Sequence, residues 1–133
     1  MKRIYGSLVW LFFSWICPLY SETEPNNDAA HANLFTQMDT GTLSGNDLYD
    51  WFYFDLPQAG IWKLTITKTG GGNVWIYLRD GQKPTQDEVA NYYVSYWDIN
   101  GEVWTNALLA GRYYLEIKKG DYTVHYQISA ELL

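Results

Sequence analysis

The chain has 133 residues, a formal net charge of −6, seven tryptophans, twelve tyrosines and one cysteine. This length predicts a single domain, which buries roughly two-thirds of its unfolded surface. The negative charge argues against a nucleic acid as partner, because proteins bind phosphates with lysine and arginine. A single cysteine excludes an intrachain disulfide, so packing, hydrogen bonds or a metal must stabilise the fold.

Residues 1–21 have the pattern of an export signal. Lys2 and Arg3 supply a positive start, an apolar run follows over residues 4–16, and Ser21 is a small residue at a suitable cleavage point. The run is too short to span a bilayer. We predict a secreted or periplasmic domain over residues 22–133 with no membrane span. Cleavage of the signal would remove Lys2 and Arg3 but no acidic residue, which changes the net charge from −6 to −8.

A lipoprotein acylated on Cys17 is the alternative form of export. The three residues before this cysteine are Ser14, Trp15 and Ile16. They place bulky groups where small side chains are normally needed, so this alternative is disfavoured.

The polar opening of the mature domain, residues 22–33, differs in composition from the rest. Five oxygen-bearing side chains crowd around one proline there: Glu22, Glu24, Asn26, Asn27 and Asp28. Asp47 and Asp50 form a second acidic group before an aromatic run. If the two groups meet, they offer six or more oxygen ligands, which is the number that calcium takes. A solvated acidic terminus without an ion is the open alternative.

From Thr40 onward, short alternating runs separated by turn residues predict strands, and no stretch has a helical period. The predicted strands are 50–56, 60–68, 73–80, 92–98, 102–108, 112–118 and 121–132. Asn100 and Gly101 predict a hairpin between the runs on either side of them. A tight turn at Lys119 and Gly120 is predicted to join the last two strands. About eight strands indicate an all-β antiparallel sandwich.

Aromatic side chains on the outer faces of these strands are candidate ligand-binding residues. Trp75, Tyr77 and Arg79 share the face of their strand that points away from the core, and Tyr93 and Trp97 share a face of theirs. Such rings stack on sugars or form protein-binding patches. The alternative is that they only pair across strands.

No catalytic residue is predicted. His31 and His125 have no evident triad partners, and there is no Gly-x-Ser-x-Gly motif. Asp47 and Asp50 could in principle form a glycosidase pair. Their spacing of three residues at a strand entrance fits metal ligation better, so a small hydrolase is the least favoured function.

The order of several short motifs resembles the bacterial pre-peptidase C-terminal domain. These motifs are Glu24-Pro25-Asn26-Asn27, Gly41 to Gly45, Asp50 to Phe54, Ala59-Gly60, Ala110 to Tyr114, and Tyr122-Thr123. The resemblance implies a jelly-roll-like β-sandwich that is usually appended to a secreted protease. It also implies a calcium site like that of the related collagen-binding modules of clostridial collagenases.

Carried over residue by residue, the resemblance assigns metal ligands in both acidic groups. Glu22, Glu24 and Asn26 match the acidic linker of those modules, and Asp47 and Asp50 match the later pair. Asn27 stands where an aspartate is common in the family, so one negative charge is missing from the site. Asp28 is a candidate to supply that charge instead. Tyrosines that contact collagen in those modules are replaced here by Glu116, Lys118 and Lys119, so collagen binding is not supported.

These observations predict a secreted, non-catalytic binding module. We expect calcium to stabilise it, and an extracellular protein or polysaccharide to bind its exposed aromatics. The alternative is a structural or chaperone-like partner that docks on a separately encoded secreted protease or other hydrolase. No protease domain precedes the module in the sequence, so we expect it to act alone or in trans.

Overall fold

The computed structural model describes residues 20–69, 72–82, 88–95 and 102–133. Most of the predicted signal, as well as Trp97, Asn100 and Gly101, lies outside these residues. Within them, no helix is long and apolar enough to cross a membrane.

The described residues form ten strands in two sheets. The strands are β1 (Tyr20–Ser21), β2 (Asn33–Leu34), β3 (Met38–Leu43), β4 (Tyr49–Leu56), β5 (Gly60–Thr69), β6 (Val74–Asp80), β7 (Glu88–Val94), β8 (Glu102–Leu108), β9 (Gly111–Lys119) and β10 (Val124–Leu132). Sheet A has the order β1-β3-β10-β5-β8, and sheet B has the order β2-β4-β9-β6-β7. Only the two-residue strands β1 and β2 pair in parallel. The eight longer strands confirm the predicted antiparallel sandwich.

Alternating apolar residues build the core between the two sheets. On β5, Trp62, Leu64 and Ile66 point inward, and the even-numbered residues Val74 to Leu78 do so on β6. Phe54 of sheet B stacks on Trp62 of sheet A, with ring centroids 4.7 Å apart. Each fully buried apolar side chain contributes about 1.5–3 kcal/mol to stability. The inward face of each strand therefore determines which way its outer residues point.

The predicted pairing of the runs on either side of Asn100 and Gly101 is wrong for the residues that the structure describes, and the turn itself lies outside them. Strand β7 pairs with β6 in sheet B, whereas β8 pairs with β5 in sheet A. Tyr92 of β7 stacks on Trp104 of β8 across the two sheets, with centroids 4.4 Å apart. The two strands thus face each other through their side chains, because a turn-forming dipeptide does not determine which strand will be the backbone partner.

The connection between the last two strands also differs from the prediction. Lys119 is part of β9, and residues 120–123 cross from sheet B to sheet A. Gly120 N donates to Asn73 O at 2.9 Å. Strand β10 begins only at Val124, so Tyr122, which falls within the predicted strand 121–132, lies in this connection and is exposed.

Candidate metal centre and aromatic face

The acidic opening segment bridges one end of the two sheets. Glu22 N donates to Thr40 O of β3 at 3.0 Å, and Trp51 N of β4 donates to Asn26 O at 2.8 Å. Glu22 Oε1 also accepts from Thr42 N at 2.7 Å. Residues 22–26 are therefore fixed to sheet A at one end and to sheet B at the other.

Four carboxyl groups meet beneath this segment. Oxygens of Glu22, Glu24 and Asp50 all lie within 4.8 Å of one another, and Asp50 is fully buried. Asp47 extends the group, because it lies close enough to Glu24 for the charge of that residue to raise its pKa. The two acidic groups of the sequence, more than twenty residues apart, thus converge on one place.

Two amide side chains complete the cluster. The Asn26 amide, which is fully buried, contacts Glu24 Oε2 and Asp50 Oδ1 at 3.0 Å each, and the Asn27 amide contacts Asp47 Oδ1 at 2.8 Å. With nitrogen facing the carboxylates, these contacts are hydrogen bonds. With oxygen facing them, the amides add two ligands. This orientation is favourable only around a cation, because the amide oxygens otherwise face the carboxylate oxygens without a hydrogen bond. All six residues that the sequence predicted as ligands are therefore neighbours.

Asp28 does not join the cluster. Its Oδ1 caps the short 3-10 turn Ala29–His31 by accepting from His31 N at 3.0 Å, and it contacts His31 Nδ1 at 2.7 Å. Both side chains are exposed. The charge that Asn27 lacks is therefore not supplied by Asp28.

The crowding and burial of the acidic groups raise the pKa values of two of them. Burial, followed by a hydrogen bond with Glu22 and by neighbouring negative charges, raises the pKa of Asp50 from 3.8 to about 9. Burial and the charge of Glu24 raise the pKa of Asp47 to about 6, against the opposing charge of Lys119. Like charges in a low-dielectric site disfavour ionisation unless a cation neutralises them. Carboxylate and amide oxygens in this number fit the hard cation calcium.

Tyr126 is a part of the cluster that the sequence did not reveal. Its hydroxyl donates to Asp50 Oδ2 at 2.5 Å and lies 3.1 Å from Glu22 Oε2. A Cβ on Gly41 of β3 would overlap this hydroxyl and would lie 2.6 Å from Glu22 Oε2. In the sequence, the one indication of this role was that the polar ring of Tyr126 lies on the apolar face of its strand.

Sheet B presents a second feature on its outer side, which we call the aromatic face. Its rings come from three neighbouring strands and the edge strand: Tyr49, Trp51, Tyr53, Tyr114, Trp75, Tyr77 and Tyr93. Trp75 and Tyr93, both predicted to bind ligand, have centroids 5.2 Å apart at 45°. The structure thus groups Trp75, Tyr77 and Tyr93, while Trp97 lies outside the described residues.

Charged side chains pack against the rings of the aromatic face and hold them in place. The Arg79 guanidinium lies 5.7 Å from the ring centroid of Trp51 and 5.1 Å from that of Tyr77. Its Nε donates to Glu116 Oε2 at 2.7 Å, and both side chains are largely buried. Arg112 lies 4.6 Å from the Tyr53 centroid. Sequence reasoning missed Trp51, Tyr53 and Tyr114, although their alternation with the buried residues Phe52, Phe54 and Tyr113 could have placed them here.

Comparisons with known proteins agree with this architecture. The family model described as the bacterial pre-peptidase C-terminal domain matches residues 48–119. A collagenase, ColA, of Clostridium perfringens is 32% identical over 116 residues, a match that covers 79% of this chain and 10% of the relative. This chain therefore spans about a tenth of that relative's length.

A solved structure shows the same fold. The pre-peptidase C-terminal domain of a collagenase from Bacillus anthracis superposes with a TM-score of 0.62 at 19% identity, covering 86% of this chain and 95% of that domain. In both relatives the protein is a collagenase, and the solved structure is one domain of it. The chain belongs to the bacterial pre-peptidase C-terminal domain family.

Proposed function

We propose that this chain is an extracellular, non-catalytic module that calcium stabilises and that binds a protein partner through the aromatic face. The observation that carries the proposal is the composition of that face. Tryptophan, tyrosine and arginine are the residues that dominate binding energy at protein interfaces. Here Arg79 and Glu116 are already paired, so little side-chain freedom is lost when a partner binds.

The angles between rings favour a protein over a polysaccharide. Trp75 and Tyr93 are tilted by 45°, and Tyr53 and Tyr114 by 48°. A sugar chain stacks best on rings that present parallel faces, whereas a protein fills an uneven surface with side chains of its own. We therefore place polysaccharide binding second.

Calcium would be held by Glu22, Glu24, Asn26, Asn27, Asp47 and Asp50. The bound ion would neutralise carboxylates whose pKa values burial and mutual repulsion now raise. Because these residues connect the opening segment to both sheets, binding would stabilise the sandwich. Sites of this extracellular kind have dissociation constants on the order of 10⁻⁴ to 10⁻³ M.

Family membership supports an accessory role. The clostridial and Bacillus relatives are collagenases, in which the matching domain is one part of a larger protein. Collagen itself is not the partner we propose, because Glu116 and Lys118 place charges on the strand at the centre of the face. A secreted enzyme bound in trans is the second candidate partner, favoured by that same association with proteases.

Thermal unfolding with calcium and with a chelator tests the metal. At 100 times its dissociation constant, calcium should add about 2.7 kcal/mol of stability. Asp50→Asn should abolish the difference, whereas Asp55→Asn, an exposed carboxylate paired with Arg112, should preserve it. Identical melts of the native protein with and without calcium would refute the site.

Capture from the culture medium of the producing organism tests the partner. The native protein should retain a protein, and Trp75→Ala with Tyr93→Ala should release it, while Thr67→Ala on the opposite sheet should not. Recovery of a secreted protease in equal amounts would support the enzyme-docking candidate. Retention of glycans alone would contradict the protein partner.

A further inference from the structure

Strand β8 forms one edge of sheet A. It pairs with β5 on one side, and no described residue pairs with its other side. Edge strands are normally protected by brevity, lysine, proline or bulges, because an open row of backbone groups accepts another strand. The edge strands β1 and β2 have two residues each, and the β6–β7 pair contains an irregularity at Leu78/Arg79. Strand β8 has seven residues, no lysine and no proline.

Exposed apolar side chains lie at and next to this edge. Val103 of β8 is 53% exposed, and Ile61 lies beside Ala107 on the neighbouring strand with 43% exposure. On the other side of β5, Leu133 is 66% exposed and its backbone N donates to Ile61 O at 2.8 Å. Leu109, just beyond the strand, is 75% exposed. Apolar groups gathered in this way mark interaction surfaces.

The residue pattern of β8 suits pairing with itself. In a two-fold antiparallel pair centred on Thr105, Val103 of one copy lies opposite Ala107 of the other, and the two Thr105 side chains meet. The single charge of the strand, Glu102, lies opposite Leu108 of the copy. The two carboxylates are then six residues apart along the strand, roughly 20 Å. A chain with a net charge of −6 can therefore self-associate here without opposing like charges.

We propose that two copies of this chain pair through β8, in antiparallel register about Thr105, to extend sheet A across both. The two-fold axis of such a pair is perpendicular to the sheet. Both aromatic faces then point to the same side of the dimer. A partner with repeated binding sites would be held bivalently, although the dimer itself does not depend on the proposed calcium site or partner.

Sedimentation velocity of the native protein, from about 1 μM to about 1 mM, tests self-association. A dimer should form with increasing concentration. The pair Val103→Lys and Ala107→Lys, which places lysines opposite each other, should weaken it about tenfold or more. Thr67→Lys, which adds the same charge to the outer face of β5, should leave it unchanged. If circular dichroism shows that the double variant does not fold, the single substitution Val103→Lys is used in its place.

A mixing experiment tests the register. Val103→Glu with Ala107→Glu should also remain monomeric alone, but equimolar mixing with the lysine variant should restore a dimer, because residue 103 of each copy faces residue 107 of the other. A native protein that stays monomeric at every concentration overturns the proposal. So does a dimer that the lysine substitutions leave intact, or a mixture that fails to associate.

Discussion

The hydroxyl of Tyr126, on β10 of sheet A, lies 2.5 Å from Oδ2 of Asp50, on β4 of sheet B. This hydrogen bond joins the central region of one sheet to the other at the end where the acidic segment 22–26 lies. The acidic cluster is therefore a junction within the sandwich, and changes in its charge should alter the stability of the whole domain.

Tyr126→Phe should destabilise the protein by about 1.5–3 kcal/mol, because Asp50 is buried and loses the donor that faces its carboxyl group. Urea denaturation in the presence of chelator measures the change. Tyr93→Phe is the matched control, since that ring is 48% exposed, and it should change stability little. Equal stability of the two variants would show that the inter-sheet bond contributes nothing.

As pH rises, the stability of the protein in chelator should fall, whereas the stabilisation that calcium adds should grow. Folding raises the pKa of Asp47 to about 6 and that of Asp50 to about 9, from 3.8. The folded state therefore binds more protons than the unfolded state, and in chelator the stability from these groups should be lost as pH rises from about 4 towards 9.

A bound cation favours the ionised carboxylates, so the stabilisation by calcium should grow over the same pH range. Melting temperatures at several pH values, with calcium and with chelator, give both curves. A calcium effect that is independent of pH would contradict ligation by these two aspartates.

Two glycines near the cluster should respond differently to alanine. Gly41→Ala places a methyl group against the Tyr126 hydroxyl and Glu22, and such overpacking should cost about 1–3 kcal/mol and weaken the calcium effect. Gly45 has a φ of 56° and open space around its Cβ position. Gly45→Ala should cost about 1 kcal/mol through backbone strain alone and keep the calcium effect. Denaturation with and without calcium separates the two.

One ion pair on each sheet can be compared, and the two should contribute unequally to stability. Arg79 and Glu116 are 16% and 10% exposed, whereas Lys63 and Glu131 are 36% and 59% exposed. Glu116→Gln should destabilise by about 1–3 kcal/mol, because Arg79 stays largely buried without its counter-charge. Glu131→Gln should stay within about 0.5 kcal/mol. Urea denaturation of both variants at two salt concentrations makes the comparison.

Sequence patterns predicted the strands and located the acidic residues because both are local signals, whereas metal ligation by those residues stays a prediction. Alternation places Leu64 and Ile66 inward whatever the neighbouring strand is, and the acidic opening is visible as composition. The sequence did not indicate that Tyr126 and Gly41 belong to the acidic cluster, because their part in it depends on contacts between strands that are distant in the sequence. The predicted pairing of the runs on either side of Asn100 and Gly101 was wrong for a similar reason. Turn propensity describes a few residues, whereas the sheet to which β7 or β8 belongs depends on burial along the whole strand.

The strand order has a consequence for biosynthesis. Strands β9 and β10, the last two described strands of this domain in chain order, occupy the centre of sheet B and of sheet A. A nascent chain that ends before Gly111 therefore lacks the middle of both sheets, and neither half of the sandwich can close. Folding of this domain therefore has to wait until β9 and β10 have been synthesised, and a shorter nascent chain leaves the apolar faces of the strands already made uncovered.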